Sequence, residues 1–298
     1  DQKFSNVKIL GGTLDANGQN FEFSANIMGG NSFEDVLIDG TTFLNVPSYH
    51  AIDIANASNV VIRNCDFLGF ADLTGDTSRD FSEAIQIDPG YSPGPGATVE
   101  EVLVDNCRFG DNPDNPDGRF GAWPAGVGNH SMNVAASEAK ALRVRECTFA
   151  GMSKAGVRFY AATDSVITGC LFRACQVGIM LTQGTGTKLQ GCVGIVISGN
   201  RFRDCMAEDV FAEKNNTTSP IDALHQDITI TGNNHVGSDV VYRMRFVHGL
   251  TIAADGLHSA ARRHLNPRSK PFFTGQVAWD ADERLIGKGD VAVRVFDI

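Results

Sequence analysis

Nine segments of this chain repeat one order of apolar and polar positions. They read VKILGGTL from Val7, VLIDGTTF from Val36, VVIRNCDF from Val60, VLVDNCRF from Val102, LRVRECTF from Leu142, SVITGCLF from Ser165, IVISGNRF from Ile195, ITITGNNH from Ile228 and LTIAADGL from Leu250. The first half of each alternates at period 2 and is rich in Val and Ile. That predicts a strand, since a helix would repeat its apolar face near every 3.6 residues. A turn follows, then a two-residue step to a large apolar side chain. The sixth position holds Gly12, Thr41, Cys65, Cys107, Cys147, Cys170, Asn200, Asn233 and Asp255. The eighth holds Leu14, Phe43, Phe67, Phe109, Phe149, Phe172, Phe202, His235 and Leu257.

The spacing adds the architecture. By subtraction of those numbers, sixth positions follow one another at 22 to 42 residues, with the two longest steps adjacent, from Cys65 to Cys107 and on to Cys147. A solenoid behaves this way: each coil has a minimum circumference, and insertions grow outward from its corners. A coil of roughly 22–24 residues built from short strands is a parallel β-helix. On these repeats, residues 4–258 resemble the right-handed parallel β-helix (pectin lyase-like) superfamily, including its bacterial secreted β-helix repeat proteins. The superfamily contains pectate lyases, polygalacturonases, alginate epimerases and phage tailspikes. The resemblance implies an all-β, single-stranded right-handed solenoid of about nine coils. For activity it leaves several reactions and pure binding open, because function sits in sites placed on a fold.

The repeats divide the chain into a β-helix over 1–258 and a segment over 259–298, read as a C-terminal cap or as an oligomerisation or linker segment. Only residues 1–6 precede the first strand, where family members usually place a covering helix. An open end invites pairing with another chain, so upstream residues or a partner are expected to supply the cover. Asp1 in place of an initiator Met points to a processed chain or an excised fragment.

Charge and cysteine content narrow the partners. With 25 basic against 35 acidic residues the net charge is −10, which argues against a nucleic-acid binder. No apolar run approaches the roughly 20 residues of a membrane span. Four of the 7 cysteines share the sixth position and read as an inward ladder of small buried thiols. Cys175 and Cys205 occupy matching corners one coil apart and are in place for a disulfide if their side chains face each other. Cys192 falls in an insertion with no evident partner. Zinc is not indicated, with no Cys-x-x-Cys pair and no clustered His.

Candidate chemistry comes from a second strand in each coil: HAIDI from His50, EAIQID from Glu83, AGVGNH from Ala125, AGVRFY from Ala155, VGIML from Val177 and VVYRMR from Val240. Ile52, Ile85, Val127, Val157 and Ile179 share one parity and point inward, so the other parity faces out. That sends Asp53, Gln86, Asp88, His130, Arg158 and Tyr160 to one face, beside Gly-, Pro- and Asp-rich loops after Phe70, Asp88 and Asp111. Asp53 and Asp88 lie on a diagonal of about 8 Å, inside the roughly 6.5–9.5 Å window of inverting glycosidases. Asp53 and Asp88 are therefore the expected acid and base, with Glu83 as a substitute and His130 tuning Asp88. Gln86, Arg158, Tyr160 and His50 are the expected substrate ligands. The paired Asp-Asp motif of polygalacturonases and the acidic calcium cluster of pectate lyases are both missing.

The leading expectation is a secreted or cell-surface glycoside hydrolase acting on a polysaccharide or oligosaccharide, as a monomer or homotrimer and without a cofactor. One alternative is a lyase of a uronate-containing glycan, under which calcium enters. The other is a non-catalytic glycan-binding tailspike or adhesin module.

Overall fold

The computed structural model describes residues 4–16, 26–76, 78–89, 97–115, 118–129, 136–184, 190–213, 224–238, 240–245, 247–253, 276–279 and 291–294. Among these residues there is no helix; strands stack into three parallel sheets that wrap one core.

The nine repeated segments form the first sheet. Its parallel strands run from Phe4–Leu10 through Phe33–Asp39, Ser58–Arg63 and Thr98–Asp105 to Val247–Ala253, each hydrogen-bonded to the same segment one coil on. In the register Val36 faces Val60 and Val60 faces Val102, so the repeat is the coil. The turn to the second sheet needs a left-handed backbone. The residue there is Gly40, Asn64, Asn106, Glu146, Gly169, Gly199 or Gly232, with φ between 48° and 69°. Glycine and asparagine tolerate that region best, which is why they recur at the motif's fifth position.

The second sheet holds the eighth-position residues. Phe43, Phe67, Phe109, Phe149, Phe172 and Phe202 are fully buried. Consecutive rings lie 4.7–5.0 Å apart and within 9° of parallel. The stack continues onto His235, 5.0 Å from Phe202. Coil spacing forces this face-to-face geometry, since identical positions repeat at about 4.8 Å. Leu14 is the exception at 38% exposed.

The sixth positions form the neighbouring internal column. Thr41, Cys65, Cys107, Cys147, Cys170, Asn200 and Asn233 are all buried. The asparagines satisfy the backbone they bury: Cys170 N–H donates to Asn200 Oδ1 at 2.9 Å and Asn200 N–H to Asn233 Oδ1 at 2.9 Å. All seven cysteines are buried and free, including Cys175 and Cys205, so those two are not bridged. Burial pushes the thiols of Cys175 and Cys192 up to about 12. Cys192 is a core residue rather than an insertion residue: it is fully buried, and its N–H donates to His225 Nδ1 at 3.1 Å.

The third sheet runs through Met28–Asn31, Ile52–Ala55, Glu83–Asp88, Ala125–Asn129, Ala155–Tyr160, Val177–Thr182, Glu208–Glu213 and Val240–Met244. Three glycines let the phenylalanine column pack against it. A Cβ added at Gly126, Gly156 or Gly178 would lie 2.4–2.6 Å from Phe149, Phe172 or Phe202. Past the last coil, Gln276–Trp279 pairs antiparallel with Val247–Ala253, and Val291–Arg294 pairs antiparallel with Val240–Met244.

Candidate functional site

Of the expected site residues, Asp53, Glu83, Gln86, Asp88, Arg158 and Tyr160 lie on strands of the third sheet, and His50 lies two residues before one. Asp53 aligns with Gln86, Gln86 with Gly128, and Gly128 with Arg158. Asp88 aligns with Ala55, which gives the expected diagonal between Asp53 and Asp88. His130 lies outside the described residues. Facing out does not leave these groups open to solvent. His50, Glu83, Gln86, Asp88, Arg158 and Tyr160 are all at most 9% exposed, and Asp53 is half-buried.

Two connected clusters account for that burial. In the first, Asp53 accepts from two amides: Asn26 Nδ2 to Oδ2 at 3.0 Å and Gln86 Nε2 to Oδ1 at 3.2 Å. Asn26 Oδ1 also accepts the His50 N–H at 3.1 Å. The second cluster centres on Glu83, whose Oε1 accepts a short hydrogen bond from Arg158 Nη2. The pair is buried, with side chains 1% and 5% exposed. Arg158 belongs to a strand two coils beyond Glu83; on the intervening strand Glu83 aligns with Ala125 and Arg158 with Gly128, so the Glu83 side chain leans along the sheet over Gly128. A Cβ at Gly128 would lie 2.9 Å from the Glu83 Cγ, so glycine opens the path for the ion pair. His50 Nδ1 donates to the Glu83 carbonyl at 2.7 Å and lies 3.8 Å from Glu83 Oε2.

The loop ending at Phe81 covers this cluster. The Arg158 guanidinium sits 4.6 Å from the Phe81 ring centre and 5.0 Å from that of Tyr160, and Nη2 donates to the Phe81 carbonyl at 3.4 Å. Lys154 Nζ also lies over this ring, 5.1 Å from its centre, and pairs with Asp80 at 3.3 Å. Phe81 remains 43% exposed, an aromatic edge held between two cations.

Farther along, the outer face turns apolar, with Ala155, Val177 and Phe211 packed beside Met180 and Ala207. It then reaches an ion pair between buried Glu208 and half-buried Arg243, Oε1 to Nη1 at 2.8 Å. Burial raises the Glu208 carboxyl, and Arg243 opposes it.

The strand EDVFAE over Glu208–Glu213 was missing from the sequence alignment of this sheet, as was Met28–Asn31. The first was legible in principle, because it follows Phe202 by the same kind of step that separates Ala155 from Phe149. Its Asp209 breaks the pattern by pointing inward and being fully buried. It accepts from His235 Nδ1 at 2.7 Å and Ser238 Oγ at 2.6 Å, and His235 Nε2 meets the Tyr242 hydroxyl at 2.6 Å. Among the described residues no three His, Cys, Asp or Glu side chains gather in a way that would hold a metal ion. Among the described residues no helix is long and apolar enough to cross a membrane.

A solenoid of three parallel sheets with an internal phenylalanine stack defines the class, and the comparisons agree. Residues 2–248 match the family model described as the right handed beta helix region, so the chain belongs to that family. The chain is 30% identical over 189 residues to plasmin and fibronectin-binding protein A of Streptococcus pneumoniae strain ATCC BAA-255 / R6. That match takes in 56% of this chain and 25% of the relative, so the chain spans a quarter of that protein's length. Two solved structures of PfbA, a surface adhesin of the same organism, superpose with a TM-score of 0.59 at 19% identity. They cover 85% and 83% of this chain, and 72% and 76% of theirs. At that identity they show the fold.

These relatives overturn the expectation of a glycoside hydrolase. They are named as a plasmin- and fibronectin-binding protein and as surface adhesins, and none carries the name of a glycosidase or lyase. The same names bring no polysaccharide ligand. In the structure the Asp53 and Glu83 carboxylates are engaged by amides and a guanidinium from neighbouring coils.

Proposed function

We propose that this chain is the β-helical module of a bacterial surface adhesin that binds a host protein, working at the cell surface or outside the cell. The observation that carries this reading is the 30% identity over 189 residues to a protein named for binding plasmin and fibronectin. A stiff solenoid suits that role, because each coil packs on its neighbours and offers long flat faces without needing to move. In this reading the Asp53–Gln86 and Glu83–Arg158 clusters brace the third sheet under its loops. The cysteines are compatible with an oxidising location. All seven are buried and free, and burial raises the Cys175 and Cys192 thiols to about 12, which leaves little thiolate to react.

The test is direct binding of the purified chain to immobilised human fibronectin and to plasmin by biolayer interferometry. Saturable binding to at least one supports the proposal. A correctly folded chain that binds neither overturns it.

A further inference from the structure

The fold treats its outward arginines in two ways. One column of the second sheet runs Thr42, Asp66, Arg108, Thr148, Leu171, Arg201 and Asn234 through successive coils. Arg108 donates to both oxygens of Asp66 in the preceding coil, at 2.9 Å each. On the first sheet Arg63 and Arg145 are likewise paired, with Asp39 and Asp105 at 2.8 and 2.7 Å. Arg201 occupies the same column as Arg108, but its neighbour in the preceding coil is Leu171. In the adjoining column Arg173 aligns with Arg203, and Arg203 with Val236. Arg173, Arg201 and Arg203 are all exposed, and among the described residues none of them forms an ion pair. The nearest acid in sequence, Asp204, turns its carboxylate toward Gly237 instead.

Strand geometry places these guanidinium-bearing positions about 5–8 Å apart. Like charges facing each other on neighbouring strands destabilise a sheet, so the fold itself gains nothing from the arrangement. It also concentrates positive charge on a chain of net charge −10. Arg201 and Arg203 line a shallow depression of about 230 Å³ with Asn234 and Val236. Val236 in its lining is 53% exposed, and Met206, three residues after Arg203 in the chain, is 60% exposed. Arginine with methionine and without lysine is the composition of a protein–protein contact. Arginine also grips carboxylates in a two-bond fork that lysine lacks.

We infer that Arg173, Arg201 and Arg203 form a docking surface for an acidic segment of a protein partner. Its Asp or Glu carboxylates pair with the guanidinium groups while its aliphatic atoms rest on Val236 and Met206. The inference rests on the adhesin reading for the partner's being a protein, and charge complementarity supplies the rest.

The test uses the full chain, the triple variant Arg173→Glu/Arg201→Glu/Arg203→Glu, and a control, Lys8→Glu/Arg143→Glu, that alters exposed cations elsewhere. Circular dichroism confirms folding of each. The first probe is a fluorescent peptide of mixed Glu and Leu residues, followed by anisotropy at low and physiological salt. Wild type and control should bind it and weaken with salt, and the triple variant should bind at least about tenfold less tightly. Equal binding by the triple variant, or no binding by wild type, overturns the inference. So does capture of heparin without capture of the peptide, which would make the surface a sulfated-glycan site. Fibronectin and plasmin are the second probes. Loss of both in wild type with intact peptide binding sinks the adhesin reading and leaves the surface standing. Undiminished fibronectin or plasmin binding by the triple variant does the reverse.

Discussion

Replacing Arg158 by Met tests whether the buried Glu83–Arg158 pair of the third sheet braces the fold. The substitution keeps much of the side chain's length and apolar bulk, so it removes mainly the guanidinium. That group is 5% exposed, donates to Glu83 Oε1 and the Phe81 carbonyl, and stacks against the Phe81 and Tyr160 rings. Its loss strands a carboxylate that is 1% exposed, with the His50 ring 3.8 Å from Oε2 as the one other cation candidate paired with it among the described residues. Breaking one side of such a pair costs about 3–5 kcal/mol, whereas replacing both charges by well-packed neutral groups is often close to neutral. Arg158→Met should therefore lower the melting temperature by about 6–20 °C at about 2–4 °C per kcal/mol. The double variant Glu83→Gln/Arg158→Met should recover at least about 2 kcal/mol of the summed single losses. Urea denaturation followed by far-ultraviolet circular dichroism measures all four members of the cycle. A single-variant loss below about 1 kcal/mol, or strict additivity in the cycle, would refute the reasoning.

Four further outcomes are expected. Phe149→Ala should cost about 3–5 kcal/mol by urea denaturation, because its fully buried ring touches Phe109 and Phe172 at centroid distances of 4.7 and 5.0 Å. Gly156→Ala should cost about 1–3 kcal/mol or more, since its Cβ would lie 2.4 Å from the Phe172 ring and 2.8 Å from the Gly178 carbonyl oxygen; a neutral result in the same assay would show a looser column. Burial lowers the His225 pKa from 6.5 to about 4, so the unfolded chain takes up a proton that the folded chain refuses. This contribution is complete above about pH 6.5 and is lost as pH falls toward 4, by about 3 kcal/mol; His225→Asn should flatten the slope of stability against pH in that window. Native Cys65, Cys107, Cys147 and Cys170 should react slowly with a thiol reagent and quickly once unfolded, and mass spectrometry showing rapid native labelling of all four would contradict their inward stacking.

The sequence by itself determined the repeat. Period-2 alternation, the residue that must turn left-handed, and the fixed two-residue step to a large side chain are local properties, so they are visible in each copy alone. Stacking identical copies then leaves the Phe and Cys positions no place but the interior. That is why the coil count and the buried thiol and ring columns were legible.

The tertiary structure decided what the outward residues do. Parity correctly sent Asp53, Gln86 and Arg158 to one face, yet parity says nothing about which side chain crosses to which coil. The Glu83–Arg158 bond passes over Gly128, and Phe81 closes above it from a loop whose path no repeat encodes. The inward turn of Asp209 and the His225–Cys192 contact likewise depend on side chains separated by 26 to 33 residues meeting in space. The same physics separates the paired arginines from the bare ones. Arg108 and Arg201 share a column, and only the residue one coil back, Asp66 for the first and Leu171 for the second, makes one a brace and the other an open charge.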